Sequence, residues 1–119
     1  MPNEKTYTLL AYGEEHKIIL RKGNYNNNGT LAIDMIKVFD DGHEEPWSML
    51  TVNIQDSNDY ANAVDTAFVD VNNLGSSIIS WLGHNNIGEP TGMFGFSGFC
   101  CYPLFKFNKK TLEGMVELR

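Results

Sequence analysis

The chain has little that would mark a secreted scaffold, a nucleic-acid reader or a membrane protein. Only two of its 119 residues are cysteine, Cys100 and Cys101, and they are neighbours. Adjacent strand residues point to opposite faces, so such a pair neither chelates one metal jointly nor closes an unstrained disulfide. The expectation is one thiol in the core and one nearer the surface. Positive charge is also scarce: nine Lys and Arg against fifteen Asp and Glu leave a net charge of −6. A phosphate-backbone reader needs a basic face for counterion release. Arg21 with Lys22, and Lys106 with Lys109 and Lys110, are the only basic groups, and they read as solvated strand ends. Direct nucleic-acid binding is therefore not expected. No apolar run approaches the roughly 20 residues that a membrane-spanning helix needs. Met1 to Lys5 is polar with no apolar run after it, so no signal peptide is read and a cytoplasmic location is expected.

Catalytic and metal-binding patterns are missing as well. Gly92, Gly95 and Gly98 recur at every third residue, which is the wrong spacing for a dinucleotide loop; close packing or flexibility at a bent strand explains them better. Asp70-Val71-Asn72 begins like a calcium loop with Gly75 at the sixth position, but Trp81 stands where the bidentate Glu must be. His16, His43 and His84 lie in turns or after a helix stop, have no chelating spacing, and are read as solvated. Glu14-Glu15 and Glu44-Glu45 fall in turns, where burial would not tune a carboxylate for acid–base work. No enzymatic activity, cofactor or metal is expected.

What is present reads as one α+β domain, residues 1–119, with a mostly antiparallel twisted sheet of about five to seven strands and one main helix on one face. Thr6–Ala11 and Lys17–Lys22, separated by Gly13-Glu14-Glu15, predict a first hairpin. An Asn-rich loop, Gly23–Thr30, precedes a strand at Leu31–Phe39, whose apolar phase shift suggests a bulge near Met35. Asp41-Gly42 turns the chain into Trp47–Ile54, with Leu50, Val52 and Ile54 on one face and Trp47, Met49, Thr51 and Asn53 on the other. A helical turn at Tyr60–Val64, a strand at Ala67–Val71, and a helix capped by Asn72 or Asn73 and stopped by Gly83 follow. Leu74, Ile78, Trp81 and Leu82 form its apolar stripe, and Trp81 is expected to pack on the face carrying Leu50, Val52 and Ile54. Gly88-Glu89-Pro90 reads as a loop and Phe94–Phe107 as strand broken at Pro103; Thr111–Leu118 fits a strand or a short helix equally.

Two groups of residues are candidates for binding. Asn53, Asp70, Asn72 and Asn73 could converge at a sheet end beside the helix N-terminus and hold a small ligand. Phe94, Phe96, Cys100 and Tyr102 alternate onto one face, with Phe99 and Cys101 on the other. Apolar residues on both faces favour a core strand; an open face would make Phe94, Phe96 and Tyr102 a contact surface.

Three stretches, in order, carry a family resemblance: Pro46-Trp47 with Leu50-Thr51-Val52-Asn53, then Ala67–Asn73, then Ser97–Phe107. They resemble a family of small proteins of unknown function carried on conjugative transposons, plasmids and phages of Gram-positive bacteria. The resemblance implies a mobile-element accessory protein, for which the expected role is binding a host protein, as in counter-defence against a CRISPR nuclease or a restriction enzyme. An acidic protein suits that role, since complementary charge steers it to a basic nucleic-acid channel. Alternatives are a small-ligand or nucleic-acid binding module, or a structural subunit serving conjugation or element maintenance, with an element-encoded partner.

Overall fold

The computed structural model describes residues 4–25, 30–54 and 65–117. The first β-branched runs form β1 (Tyr7–Ala11) and β2 (Glu14–Asn24). Their connection is the pair Tyr12-Gly13, one residue earlier than the Gly-Glu-Glu stretch suggested, and Glu14 and Glu15 already belong to β2. β3 (Leu31–Val38) and β4 (Glu44–Met49) complete the expected antiparallel succession of four strands. The irregularity expected near Met35 is there, as a register shift between Met35 and Ile36. Ser48 pairs with Met35 and Pro46 with Ile36, so the extra residue is Trp47 on β4.

The second half of the chain builds a separate sheet. β5 (Thr51–Val52), β6 (Thr66–Val69), β7 (Gly88–Ser97) and β8 (Cys100–Phe107) are ordered β5-β6-β8-β7, all antiparallel. Short helices α1 (Val71–Leu74), α2 (Ser77–His84) and α3 (Lys109–Glu113) complete the molecule, and β9 (Val116–Glu117) adds a parallel pairing to β2. The fold is α+β and mostly antiparallel, as expected, but the described residues form nine strands in two sheets. The C-terminal segment is both things the sequence allowed, a helical turn followed by a strand. The Asn-rich turn at 26–29 and the helical turn expected at Tyr60–Val64 lie outside the described residues.

The strand expected over Trp47–Ile54 is divided at Leu50. Leu50 N–H donates to the Ile33 carbonyl of the first sheet at 2.9 Å, while its own carbonyl accepts from Asp70 N–H at 3.0 Å. Thr51 then pairs with Val69 in the second sheet, and its Oγ1 accepts from the buried Ile33 N–H at 3.1 Å. The change of sheet redirects the side chains. Leu50 joins the main core with Ile18, Leu20, Ile33, Met35, Val69, Phe105 and Phe107, under Ile78 and Leu82 of α2. Val52 and Ile54 instead meet Phe68, Leu104 and Tyr102 in a second cluster. Thr51, expected on the face opposite Leu50, Val52 and Ile54, is buried because it occupies the joint.

The single helix is also divided. Gly75, at φ +86°, ends α1 after one turn, and α2 restarts at Ser77. Asp70, not Asn72 or Asn73, caps α1, its carboxylate accepting from Asn73 N–H at 3.2 Å. Gly83 is inside α2; the stop comes from Asn85, whose side chain and N–H both reach the Trp81 carbonyl, and from Asn86 at φ +57°. Ile78 and Leu82 are buried, but Trp81 is only half-buried and leans on β1, edge-on to Tyr7 with its indole N–H donating to Thr8 O at 2.7 Å. It does not lie on Val52 and Ile54, which belong to the other cluster.

Other expectations change for local reasons. β6 stops at Val69, since the backbone turns into α1. Gly88-Glu89-Pro90 is the start of β7 rather than a loop. Pro103 does not break β8: the β6–β8 ladder ends at Leu104, so a missing N–H at 103 interrupts no pairing there. His16 is not solvated: it lies on the core face of β2, its Nε2 3.1 Å from Ala11 O and its ring against Trp47. Arg21 is not a free strand-end charge, since Glu4 accepts two of its N–H groups and Glu44 a third, which raises its already high pKa.

The joint yields a stability prediction. Thr51→Val removes the oxygen that accepts from buried Ile33 N–H and lies 2.9 Å from the Tyr25 hydroxyl. An orphaned buried donor costs roughly 1–3 kcal/mol. Urea unfolding of Thr51→Val is expected to show a loss of about 2 kcal/mol, and Thr51→Ser, which keeps the oxygen, a smaller one.

Candidate contact surface

β7 and β8 form a hairpin that turns at Gly98-Phe99, with Gly98 at φ +61°. Ser97 pairs with Cys100, so cross-strand neighbours on one face are Phe96 with Cys101 and Phe94 with Pro103. That pairing corrects the expected alternation. Phe94 and Phe96 share their face with Cys101, whereas Cys100 and Tyr102 lie on the opposite face with Gly95. A two-residue turn sets this parity, and counting along the chain through the tip does not register it.

The two faces differ in kind. On the Tyr102 side, Gly95 lies directly over Phe68: a methyl at its Cβ position would come within 2.6 Å of the Phe68 ring and 2.9 Å of Ile54 Cδ1. Close packing, one of the two explanations expected for these glycines, is thus the reason for Gly95. On the other side, the face that carries Phe105 and Phe107 under α2 continues outward beyond the helices. There Phe94 and Phe96 are 51% and 69% exposed, and Phe99 at the tip is wholly open at 109%. The preferred reading of this segment as core is therefore overturned: β7 is an edge strand, and among the described residues no helix covers its outer half. Cys101 is exposed and Cys100 half-buried, so neither thiol is in the core.

α1 connects this hairpin to a second aromatic group. It follows β6 and stands beside the outer part of β8, where Asn72 Nδ2 makes a long, 3.5 Å approach to the Cys101 carbonyl. Asn73 Nδ2 donates to Ser48 Oγ at 3.0 Å. Next to Ser48, Trp47 lies across His16 at 4.7 Å between centroids and meets Tyr12 at 6.4 Å. Tyr12, Trp47 and Asn73 thus border one another, while Asn72 reaches the backbone of β8 at Cys101. A shallow cleft of about 240 Å³, lined by Leu9, Tyr12, Trp47, Leu74 and Ile78, opens beside them.

Of the four polar candidates, the structure brings together three. Asp70, Asn72 and Asn73 are grouped at α1, but β5 runs antiparallel to β6 and carries half-buried Asn53 away from them. The anion-site reading also fails there, because the Asp70 carboxylate already takes the N–H that an anion would use. Tyr102 belongs with this group. Partial burial, then Cys100, then the charge of Asp70 raise its hydroxyl above the ordinary phenol range, against a hydrogen bond from Asn72. Tyr25 is raised in the same way, by burial first and by Asp70, against its Thr51 hydrogen bond. Among the described residues no three His, Cys, Asp or Glu side chains group closely enough to hold a metal ion, and no helix is long and apolar enough to cross a membrane.

Tyr12 is the member of the surface that sequence reasoning missed. It is 93% exposed and stands at φ +54°, followed by Gly13 at φ +76°. Positive φ at both central residues of a two-residue loop defines the turn in which Asn-Gly is favoured. A Tyr-Gly pair directly between two strand-like runs was the available signal.

Residues 19–117 match a family described as a domain of unknown function, DUF4313, and the chain belongs to that family. No curated protein and no solved structure matches the chain.

The strain at Tyr12 can be measured. A left-handed conformation costs a residue with a Cβ roughly 1–2 kcal/mol, and Asn tolerates it better. Tyr12→Asn is expected to raise unfolding stability by about 0.5–1 kcal/mol in denaturant melts, because the exposed ring contributes little packing in return.

Proposed function

We propose that this protein is a non-enzymatic accessory protein of mobile genetic elements that binds a host protein, and that it acts in counter-defence by inhibiting a CRISPR nuclease or a restriction enzyme. The observation that supports binding is the exposure of Phe94, Phe96 and Phe99 on one hairpin. Large aromatic side chains left open beside one another cost solvation in the free protein and are the residues that dominate protein interfaces when covered. Exposed Asn72 at the Cys101 carbonyl, and Asn73 with Ser48, add polar groups near the hairpin, the mixture of anchors and hydrogen-bonding groups that interfaces use. The net charge of −6 favours a partner with a basic channel. The mobile-element setting rests on the motif resemblance at Pro46–Asn53, Ala67–Asn73 and Ser97–Phe107.

The test pairs inhibition with a surface variant. Cleavage assays with CRISPR nucleases and restriction enzymes of Gram-positive bacteria are run with the wild-type protein and with Phe94→Ser/Phe96→Ser/Phe99→Ser. The variant should melt close to the wild type, since none of the three rings is buried. The expected result is that at least one nuclease is inhibited by the wild type and that the variant loses at least roughly tenfold in potency, as hot-spot truncations do. Normal cleavage by every enzyme contradicts the counter-defence role, and equal inhibition by the variant contradicts the assigned surface.

A further inference from the structure

A cavity of about 570 Å³ lies at the opposite end of the β7–β8 hairpin from the aromatic tip. It is bounded by Gly83 and Asn86 after α2, Gly88 and Glu89 of β7, Lys106 of β8, and Asn108, Lys109 and Lys110 at the start of α3, with Asp65 beside them. Gly88 pairs with Phe107 at this end and Ser97 with Cys100 at the other, so roughly 30 Å of strand separates it from the hairpin tip. Its size suits a small molecule.

The distribution of charge singles out this cavity. Most described cations elsewhere have a partner: Arg21 has Glu4 and Glu44, Lys17 has Asp40, and Lys5 and Lys37 lie over aromatic rings. Lys106, Lys109 and Lys110 make no ion pair with any described residue, yet they line one cleft. Three lysines against Asp65 and Glu89 leave its wall at +1 in a chain whose total is −6. The carbonyls of the last turn of α2 do not oppose an anion, because Asn85 and Asn86 cap them. Glu89 faces Lys106 across the strand pair, and these carboxylates accept hydrogen bonds but donate none.

From this arrangement we infer a binding site for a small phosphate ester that also carries hydroxyl or amino donors, such as a phosphorylated sugar or a nucleotide. The phosphate sits among Lys106, Lys109 and Lys110, and the donors meet Glu89 and Asp65. The carboxylates set the limit on size and charge, since a long polyanion would be forced against them.

Calorimetric titration with adenosine monophosphate and with inorganic phosphate tests the assignment at low and at physiological salt. Adenosine monophosphate should bind saturably, roughly tenfold more tightly than inorganic phosphate. Lys109→Ala/Lys110→Ala should weaken it at least roughly tenfold, the effect of losing a hydrogen bond to a charged group. Lys22→Ala, which is not among the cleft's lining residues, should leave it unchanged. All three lysines are exposed, so the variants should melt as the wild type does; if the double variant melts lower, Lys106→Ala must show the loss instead. No saturable binding, equal affinity for the two probes, or equal weakening by Lys22→Ala would overturn the assignment. None of these outcomes bears on the aromatic surface, whose test uses other residues and another readout.

Discussion

The structure depends on one joint, where Leu50 and Thr51 bind the two sheets together through the backbone. Leu50 gives its N–H to Ile33 of one sheet and takes Asp70 N–H from the other, and Thr51 adds a side-chain acceptor for the second polar group of Ile33. Each of these groups is buried or borders the core, where an unmade hydrogen bond costs more than a made one contributes. The joint therefore fixes both the position and the rotation of the second sheet. It also lets one apolar cluster run from Ile18 and Ile33 through Leu50 to Phe105 and Phe107 without a seam.

The contact surface inherits its placement from that joint. Asp70, which closes the hydrogen bond to Leu50, is also the cap of α1, so the helix that carries Asn72 and Asn73 starts from the joint itself. α1 ends after one turn at Gly75, and Phe94, Phe96 and Phe99 of the β7–β8 hairpin are exposed. Trp47, the extra residue of β4 opposite Met35, lies half-buried against His16 and meets Tyr12.

Much of the architecture was legible in the sequence because it is set locally. The four-strand succession followed from turn residues and β-branched runs, and the irregularity near Met35 from a break in apolar phase. The division at Leu50 was not legible. The apolar alternation of Leu50, Val52 and Ile54 continues unbroken, and only long-range pairing decides that the sheet changes there. The helix break was hidden in the same way: the stripe Leu74, Ile78, Trp81, Leu82 keeps helical spacing across Gly75, whose positive φ is what interrupts it. At the candidate surface, the aromatic segment was found but its faces were misassigned, because a two-residue turn at Gly98-Phe99 sets which residues lie opposite. Its exposure depended on the reach of α1 and α2, a tertiary property with no local signature.

Native-state hydrogen exchange of the amides of Ile33, Leu50 and Asp70, compared with those of Phe68 and Phe105 deep in the second sheet, tests the central role of the joint most directly. If the joint makes the two sheets one cooperative unit, all five amides exchange only through global unfolding, with the same opening free energy and the same denaturant dependence. Exchange of Phe68 and Phe105 through a separate, lower-energy opening, while Ile33 stays protected, would show that the second sheet unfolds by itself and would contradict the account.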